Sequence, residues 1–234
     1  MALTLADIKL RARQRADMVS SEFVEDSELT NYVNASLAEL HDLLIEAYAE
    51  DYYMESLEFT SDGSQSFDLP NGTNYDGAAK FYKLRGLDAK VHDNTWSTVK
   101  RFNFNRRNAD QESVASSMLF YPALEYRIVG SQIRLSRAPE SGTQFRLWYY
   151  PQVTELTNAT DEYDDINGYS EYVVVDTAIK MLQKQEDDVS VLMAQKEALR
   201  QRIMAAAANR DANEPESIQD IYSEDAEYYA FGQD

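Results

Sequence analysis

Twice along this chain the period of the hydrophobic pattern switches. Up to about residue 54, apolar residues recur every three or four positions. From Glu55 to about Val153 they alternate in short runs broken by turn residues, and from Ser170 the three-to-four spacing returns. A stripe of period 3.6 buries one face of a helix, whereas alternation buries one face of a strand, and neither pattern serves the other element. The sequence therefore predicts an α+β fold. It is mainly a helical bundle, an N-terminal helical hairpin plus C-terminal helices, with a small antiparallel β domain inserted and an extended C-terminal tail. The expected divisions are 1–54 for the hairpin, 55–153 for the β insertion, 154–209 for a linker and the completing helices, and 210–234 for the tail.

The local signals refine this layout. Thr4 is placed to cap a first helix whose apolar stripe is Leu5, Ile8, Ala12, Ala16 and Val19, with Asp7 near the exposed amides. Its polar face carries Lys9, Arg11, Arg13 and Arg15, which reads either as a solvated face beside acidic neighbours or as a contact with an acidic second subunit. A longer helix, capped by Asp26 or Ser27, is expected over about 27–53 with Leu29, Val33, Leu37, Leu40 and Leu44 on one stripe. In the β region, Asp62-Gly63 predicts a hairpin between "SLEFT" and "SQSFDLP". "KFYKLRGLDAKV" and "STVKRFNF" read as strands, and "EYRIVGSQIRLSRAPESGTQFRLWYYP" as three more, turning at Gly130-Ser131 and Pro139–Gly142. "QVTELTNATDEYDDINGY" reads as an acidic linker. A helix follows from Ser170 with Tyr172, Val175, Ile179 and Leu182 on a stripe. Asp187-Asp188 marks a break before Val189, Leu192, Lys196, Leu199 and Ile203 resume the spacing.

Composition narrows the function classes. The 234 residues carry 41 acids against 22 bases, a net charge of −19. A surface of that sign repels the DNA polyanion, so gripping DNA is not expected, although passing it is compatible. Without cysteine there is no disulfide, thiolate metal site or cysteine nucleophile. The N-terminus has no h-region of signal-peptide type, and no apolar run approaches the ~20 residues that span a bilayer. Sixteen tyrosines weakly favour a binding role, because tyrosine joins apolar area to a polar tip.

No catalytic constellation emerges. His41 and His92, the two histidines, lie in different regions without metal-ligand spacing, and His41 within the long helix reads as structural. "DEYDD", Asp161 to Asp165, lacks the order and closing Glu of an EF-hand and reads as a solvated acidic run. The basic-aromatic "KRFNFNRRN" reads first as an edge strand with Phe102 and Phe104 inward and Arg101 on the other face. Partner or phosphate contact are its alternatives. No cofactor, metal ligand or catalytic residue is expected.

The end of the chain, "ESIQDIYSEDAEYYAFGQD", is too acidic for a core and too aromatic for a solvated tail. No Lys or Arg follows Arg210, while Ile218, Ile221, Tyr222, Tyr228, Tyr229 and Phe231 stand among the acids. Those six anchors return less than ordering the segment costs, so it should hold only on a partner, with backbone pairing or helix docking adding to it.

The succession "LTLADIKLRARQR", "DSELTNYVNASLAELHDLL", "FRLWYYPQVTEL" and "EYVVVDTAIKMLQKQEDD" resembles the head-to-tail adaptor (connector) proteins of tailed bacteriophages, especially short-tailed ones, over roughly residues 3–215. The resemblance implies a structural virion protein and not an enzyme. It implies a homo-oligomeric ring, commonly dodecameric, beneath the portal protein, which extends the DNA channel and seats a tail nozzle or fibre protein. The place would be the virion neck, assembled in the host cytoplasm, with no membrane. The six C-terminal anchors would then dock on the portal, and Lys9, Arg11, Arg13 and Arg15 would face a neighbouring subunit. Other readings are a neck stopper or tail-tube subunit, or a carboxylate-dependent hydrolase.

Overall fold

A computed structural model describes residues 3–19, 23–47, 53–92, 95–106, 124–165 and 167–207. Strand β1 (Leu3–Thr4) leads into helices α1 (Leu5–Arg15) and α2 (Asp26–Ala47). Eight strands follow: β2 (Glu55–Thr60), β3 (Ser66–Asp68), β4 (Phe81–His92), β5 (Thr95–Thr98), β6 (Lys100–Arg101), β7 (Glu125–Val129), β8 (Gln132–Leu135) and β9 (Gln144–Pro151). Strand β10 (Glu162–Tyr163) precedes α3 (Ser170–Lys184) and α4 (Ser190–Ala207). The fold is mixed α+β. The β half is a body with its own core beside the helices.

The helices form where the stripes demand. Thr4 and Asp7 build a capping box, each side chain taking the other's backbone N–H, which satisfies two amides that a helix start leaves bare. Leu5, Ile8 and Ala12 are fully buried, but Val19 is 54% exposed and Met18 takes the inward place. The helix ends at Arg15, and the left-handed turn at Asp17 then rotates the chain. On α2 the expected stripe of Leu29, Val33, Leu37, Leu40 and Leu44 is buried, while Asp26 is its first residue and bonds Lys9. Residues 48–52 of its expected length lie outside the described residues.

Helix α3 is more buried than one stripe predicts. Val173, Val174, Ala178 and Met181 are covered as well as Tyr172, Val175 and Ile179, because α1, α2 and α4 all pack on it. A helix buried on so many sides is a core element, and its buried Asp176 must find partners there. The break at Asp187-Asp188 is real: Glu186 turns left-handed and Asp188 accepts the amide of Ser190 at 2.9 Å.

Two four-stranded sheets, ordered β2-β9-β4-β5 and β3-β8-β7-β6, close on Phe67, Leu87, Ile133, Leu135, Phe145 and Leu147. Alternation on β9 sends Phe145, Leu147 and Tyr149 inward and leaves Arg146 and Trp148 less buried on the other face. The hairpin predicted at Asp62-Gly63 does not form. The local turn is there, with Asp62 accepting from Ser64 N and Gly63 at φ 95. Its flanking strands belong to different sheets, though, with β2 on β9 and β3 on β8. Turn chemistry bends the chain, but pairing partners are chosen by burial across the whole β body. A second bent strand, β5 to β6, crosses between the sheets at Val99, whose amide bonds Leu87 O at 2.7 Å. These two shared strands carry hydrogen bonding from sheet to sheet as in a barrel.

"KRFNFNRRN" departs from its expectation after Arg101. Phe102 is buried, but Phe104 enters a 3₁₀ turn and is 47% exposed, under the guanidinium of Arg127. The strand stops too early for alternation to place it inside. The β6–β7 pair is also parallel, unlike the other ladders.

Candidate partner-binding surfaces

Two joints hold the helices to the rest, and the first comes from a stretch read as an acidic linker. The carboxylate of Asp161 accepts the amides of Thr157 and Asn158 at 2.7 and 2.8 Å, and these bonds hold its pKa down at about 2. The loop so fixed offers Asp161 O to Leu5 N and Ala159 O to Ala6 N, and β10 pairs with β1. Asp165 accepts Ser170 N at the start of α3. The "DEYDD" run is thus an ordered strap, and two of its acids, Asp161 and Asp165, accept backbone amides.

The second joint is where the Tyr-Pro end of β9 meets α2. Tyr149 and Tyr150 are buried, and His41 Nε2 donates to Pro151 O at 2.9 Å, which fixes the tautomer. Burial lowers the His41 pKa, outweighing the Pro151 carbonyl and the Asp42 charge, which act to raise it. A cleft of ≈ 230 Å³ opens here, lined by His41, Tyr53, Val153, Leu156 and Tyr163, with Glu162 and Asp164 also on its wall. Beside it Asn34 clasps the backbone of Leu156 twice, Nδ2 to O and Oδ1 from N, both at 2.9 Å. The Tyr82 ring of β4 lies 6.2 Å from the His41 ring of α2, centroid to centroid.

Most of the basic face of α1 is engaged within the chain. Lys9 pairs with Asp26 at 2.6 Å, Arg13 donates to Val24 O at 2.9 Å, and Arg15 pairs with Glu171 and reaches Gln195. Three of the four cations therefore tie α1 to neighbouring parts of its own chain. Arg11 remains exposed, with the Asp7 carboxylate as its electrostatic neighbour. The six C-terminal anchors, Ile218, Ile221, Tyr222, Tyr228, Tyr229 and Phe231, lie outside the described residues.

The sequence reading missed the polar centre of the bundle. The Asp176 carboxylate, 4% exposed, takes hydrogen bonds from Ser36 at 2.6 Å, Lys180 at 2.5 Å and Lys196 at 2.6 Å. Glu39 holds both lysines from the solvent side at 3.1 and 2.8 Å. Burial disfavours the Asp176 charge, yet the bonds from Lys180, Lys196 and Ser36 more than offset it and its pKa stays below the ordinary value. Lys196 likewise suffers from burial, but Asp176 and Glu39 raise its pKa. A signal was available: Ser36, Asp176 and Lys196 each interrupt an apolar stripe on a different helix.

Among the described residues, no group of three or more His, Cys, Asp or Glu side chains is arranged to hold a metal, and no helix is long and apolar enough to cross a membrane. What this fold organises is a helical half and a β half joined at a seam, with exposed aromatic and charged surface around them. That defines a structural, partner-binding protein. The chain matches the SU10 adaptor protein family over residues 3–219, nearly its whole length, and belongs to that family. No curated protein matches it. It is a structural adaptor protein of a bacteriophage, a component of the virion neck that meets portal and tail components.

Proposed function

We propose that this protein is the repeating subunit of a ring that joins the portal to the tail and extends the DNA channel, and that its C-terminal segment docks on the portal. The family match over residues 3–219 carries this reading. A ring needs two different faces per subunit. A subunit of two clasped bodies supplies them, the helical layer on one side and the β body on the other. The net charge of −19 suits a channel that DNA must slide through without adhering. The segment 216–234, with its six apolar anchors among acids, suits capture by a partner that supplies backbone pairing or a groove. Repetition around a ring multiplies such a weak contact.

Of the four cations on α1, Arg11 is the best placed for a neighbouring subunit, since Lys9, Arg13 and Arg15 are engaged within the chain. We assign no catalytic role to any residue.

The test is direct. Purified protein mixed with portal is imaged by electron microscopy, and a collar on one end of the portal is expected. Removal of residues 216–234 should leave a folded monomer that joins portals weakly. Portals that stay bare with the full-length chain, or collars that form equally well without the segment, would overturn the assignment.

A further inference from the structure

The net charge of −19 is carried unevenly along the chain. Residues 1–54 and 154–209, which supply the helical half, hold 22 Asp and Glu against 9 Lys and Arg, whereas 55–153 hold 11 against 12. The β half is therefore close to neutral, and one of its outer surfaces has a cationic centre. In the sheet β3-β8-β7-β6, Ile133 and Leu135 of β8 are buried, so Gln132 and Arg134 lie on the outward face. Register sets Arg127 of β7 directly opposite Arg134, and Val129 opposite Gln132. Glu125 stands opposite Lys100, and Asp68 accepts the side-chain amide of Gln132 at 2.8 Å. Two facing arginines are left at the centre, and like charges directly opposite on a strand pair destabilise it. The guanidinium of Arg127 lies over the Phe104 ring, 5.1 Å from its centroid, and Phe104 and Val129 are each 47% exposed. Arginine beside exposed aromatic and aliphatic area is the composition of an interface centre.

The complement stands on the other half of the same chain. At the turn between α3 and α4, Glu186, Asp187 and Asp188 are exposed, and the start of α4 carries Val191 and Met193 at 68% and 53% exposure. Leu192 between them packs inward on the cluster of Ala12, Met18 and Val24, which holds this corner on the bundle. Acids beside exposed apolar area fit a cationic face of the same make-up by charge and by burial. We propose that the outer face of β3-β8-β7-β6, around Arg127 and Arg134, receives the α3–α4 corner of a second copy of this chain. The inference rests on the ring reading above and names its contact. The two surfaces are different, so the contact is heterologous and repeats from subunit to subunit as a ring demands. The facing arginines are then a cost of the isolated subunit that association relieves.

Single cysteines make the test clean, since the chain has none of its own. Val129→Cys chains are mixed at low salt with Val191→Cys chains that carry a size tag, both free at high concentration and on portals, and mildly oxidised. The mixed disulfide should form severalfold faster than either like pair. Arg134→Glu in the first chain should slow it severalfold, and Glu186→Lys with Asp187→Lys in the second should restore it. Added salt should weaken the unsubstituted contact. Within its own subunit, Arg134→Glu gives Arg127 an opposite charge across the strand pair, so the urea midpoint of the β half should rise while association falls. A purely structural role would lower the midpoint instead. Equal rates for mixed and like pairs, or no rescue by Glu186→Lys with Asp187→Lys, would overturn the proposal. So would a random-sequence DNA duplex whose binding Arg134→Glu abolishes while cross-linking is unchanged, which would make the face a nucleic-acid site. Collars on portals without the mixed disulfide would overturn this contact and leave the ring reading standing. The mixed disulfide with bare portals would support the contact and count against the portal reading.

Discussion

Substituting Asp176→Asn probes the centre of the helical body with almost no change in volume. The amide still reaches Ser36, so the loss falls on the two lysine bonds, at 2.5 Å to Lys180 and 2.6 Å to Lys196. Hydrogen bonds to charged groups contribute about 1.5–3 kcal/mol each. Both ammonium groups are partly exposed, at 22% and 28% of the side chain, and Glu39 stays to hold them. Halving the sum for that screening gives about 1.5–3 kcal/mol. That is less than the 3–5 kcal/mol typical of breaking a fully buried pair, yet a large part of the roughly 5–15 kcal/mol that holds a domain folded. Urea unfolding is the assay, read by far-ultraviolet circular dichroism for the helices and by tryptophan fluorescence for the β body, where Trp96 and Trp148 both reside. The helical transition should move to lower urea.

The pH dependence gives a second check. The folded carboxylate has its pKa below the ordinary 3.8, so its contribution is full above that value and disappears as pH falls through the folded pKa. The difference between wild type and variant should therefore be constant near neutrality and shrink below about pH 4. A loss under about 0.5 kcal/mol at pH 7, the usual range of an inconsequential surface change, would refute the view that this cluster is a net stabiliser. So would a difference that does not diminish in acid.

Other consequences follow from the joints. Asn34→Ala removes both bonds to the Leu156 backbone and should cost about 2 kcal/mol by thermal or urea unfolding, at about 1 kcal/mol per bond. The His41 pKa is lowered in the fold, so the unfolded chain binds the proton more readily. The stability from His41 is full above its ordinary 6.5 and is lost as pH falls through the folded pKa. Melting temperature should decline on going from pH 7.5 to 5.5 by more in wild type than in His41→Gln. Asp161→Ala releases the amides of Thr157 and Asn158 and should loosen the strap, seen as faster hydrogen exchange at Leu5 and Ala6 while the β body is unaffected. Arg15→Ala, at an exposed pair with Glu171, should change stability by less than about 1 kcal/mol.

Much of this was legible in the residues because it is local. The stripes Leu5-Ile8-Ala12 and Leu29-Val33-Leu37-Leu40-Leu44 gave two helices, and the Thr4–Asp7 box gave the first helix its start. The turn at Gly130-Ser131 and the break at Asp187-Asp188 are backbone chemistry within a few residues. The alternation Phe145-Leu147-Tyr149 gave the inward face of β9. The succession of helix, strand and helix, together with the resemblance carried by "FRLWYYPQVTEL" and "EYVVVDTAIKMLQKQEDD", pointed to the adaptor family that the match over residues 3–219 establishes.

What needed the tertiary structure involves partners far apart in the chain. Asp62-Gly63 bends the chain whatever follows, but only the competition for β8 and β9 decided that its two strands part company. The direction in which α1 presents its cations was set by Asp26, Val24 and Glu171, none of which its own periodicity reveals. Nothing local links Asp176 to Lys196, and only when α2, α3 and α4 come together do they make a single charge-compensated centre. Periodicity reports which face of an element is buried. It carries no record of what that face is buried against, and that second choice decided the joints, the polar centre and the strand pairing of the β body.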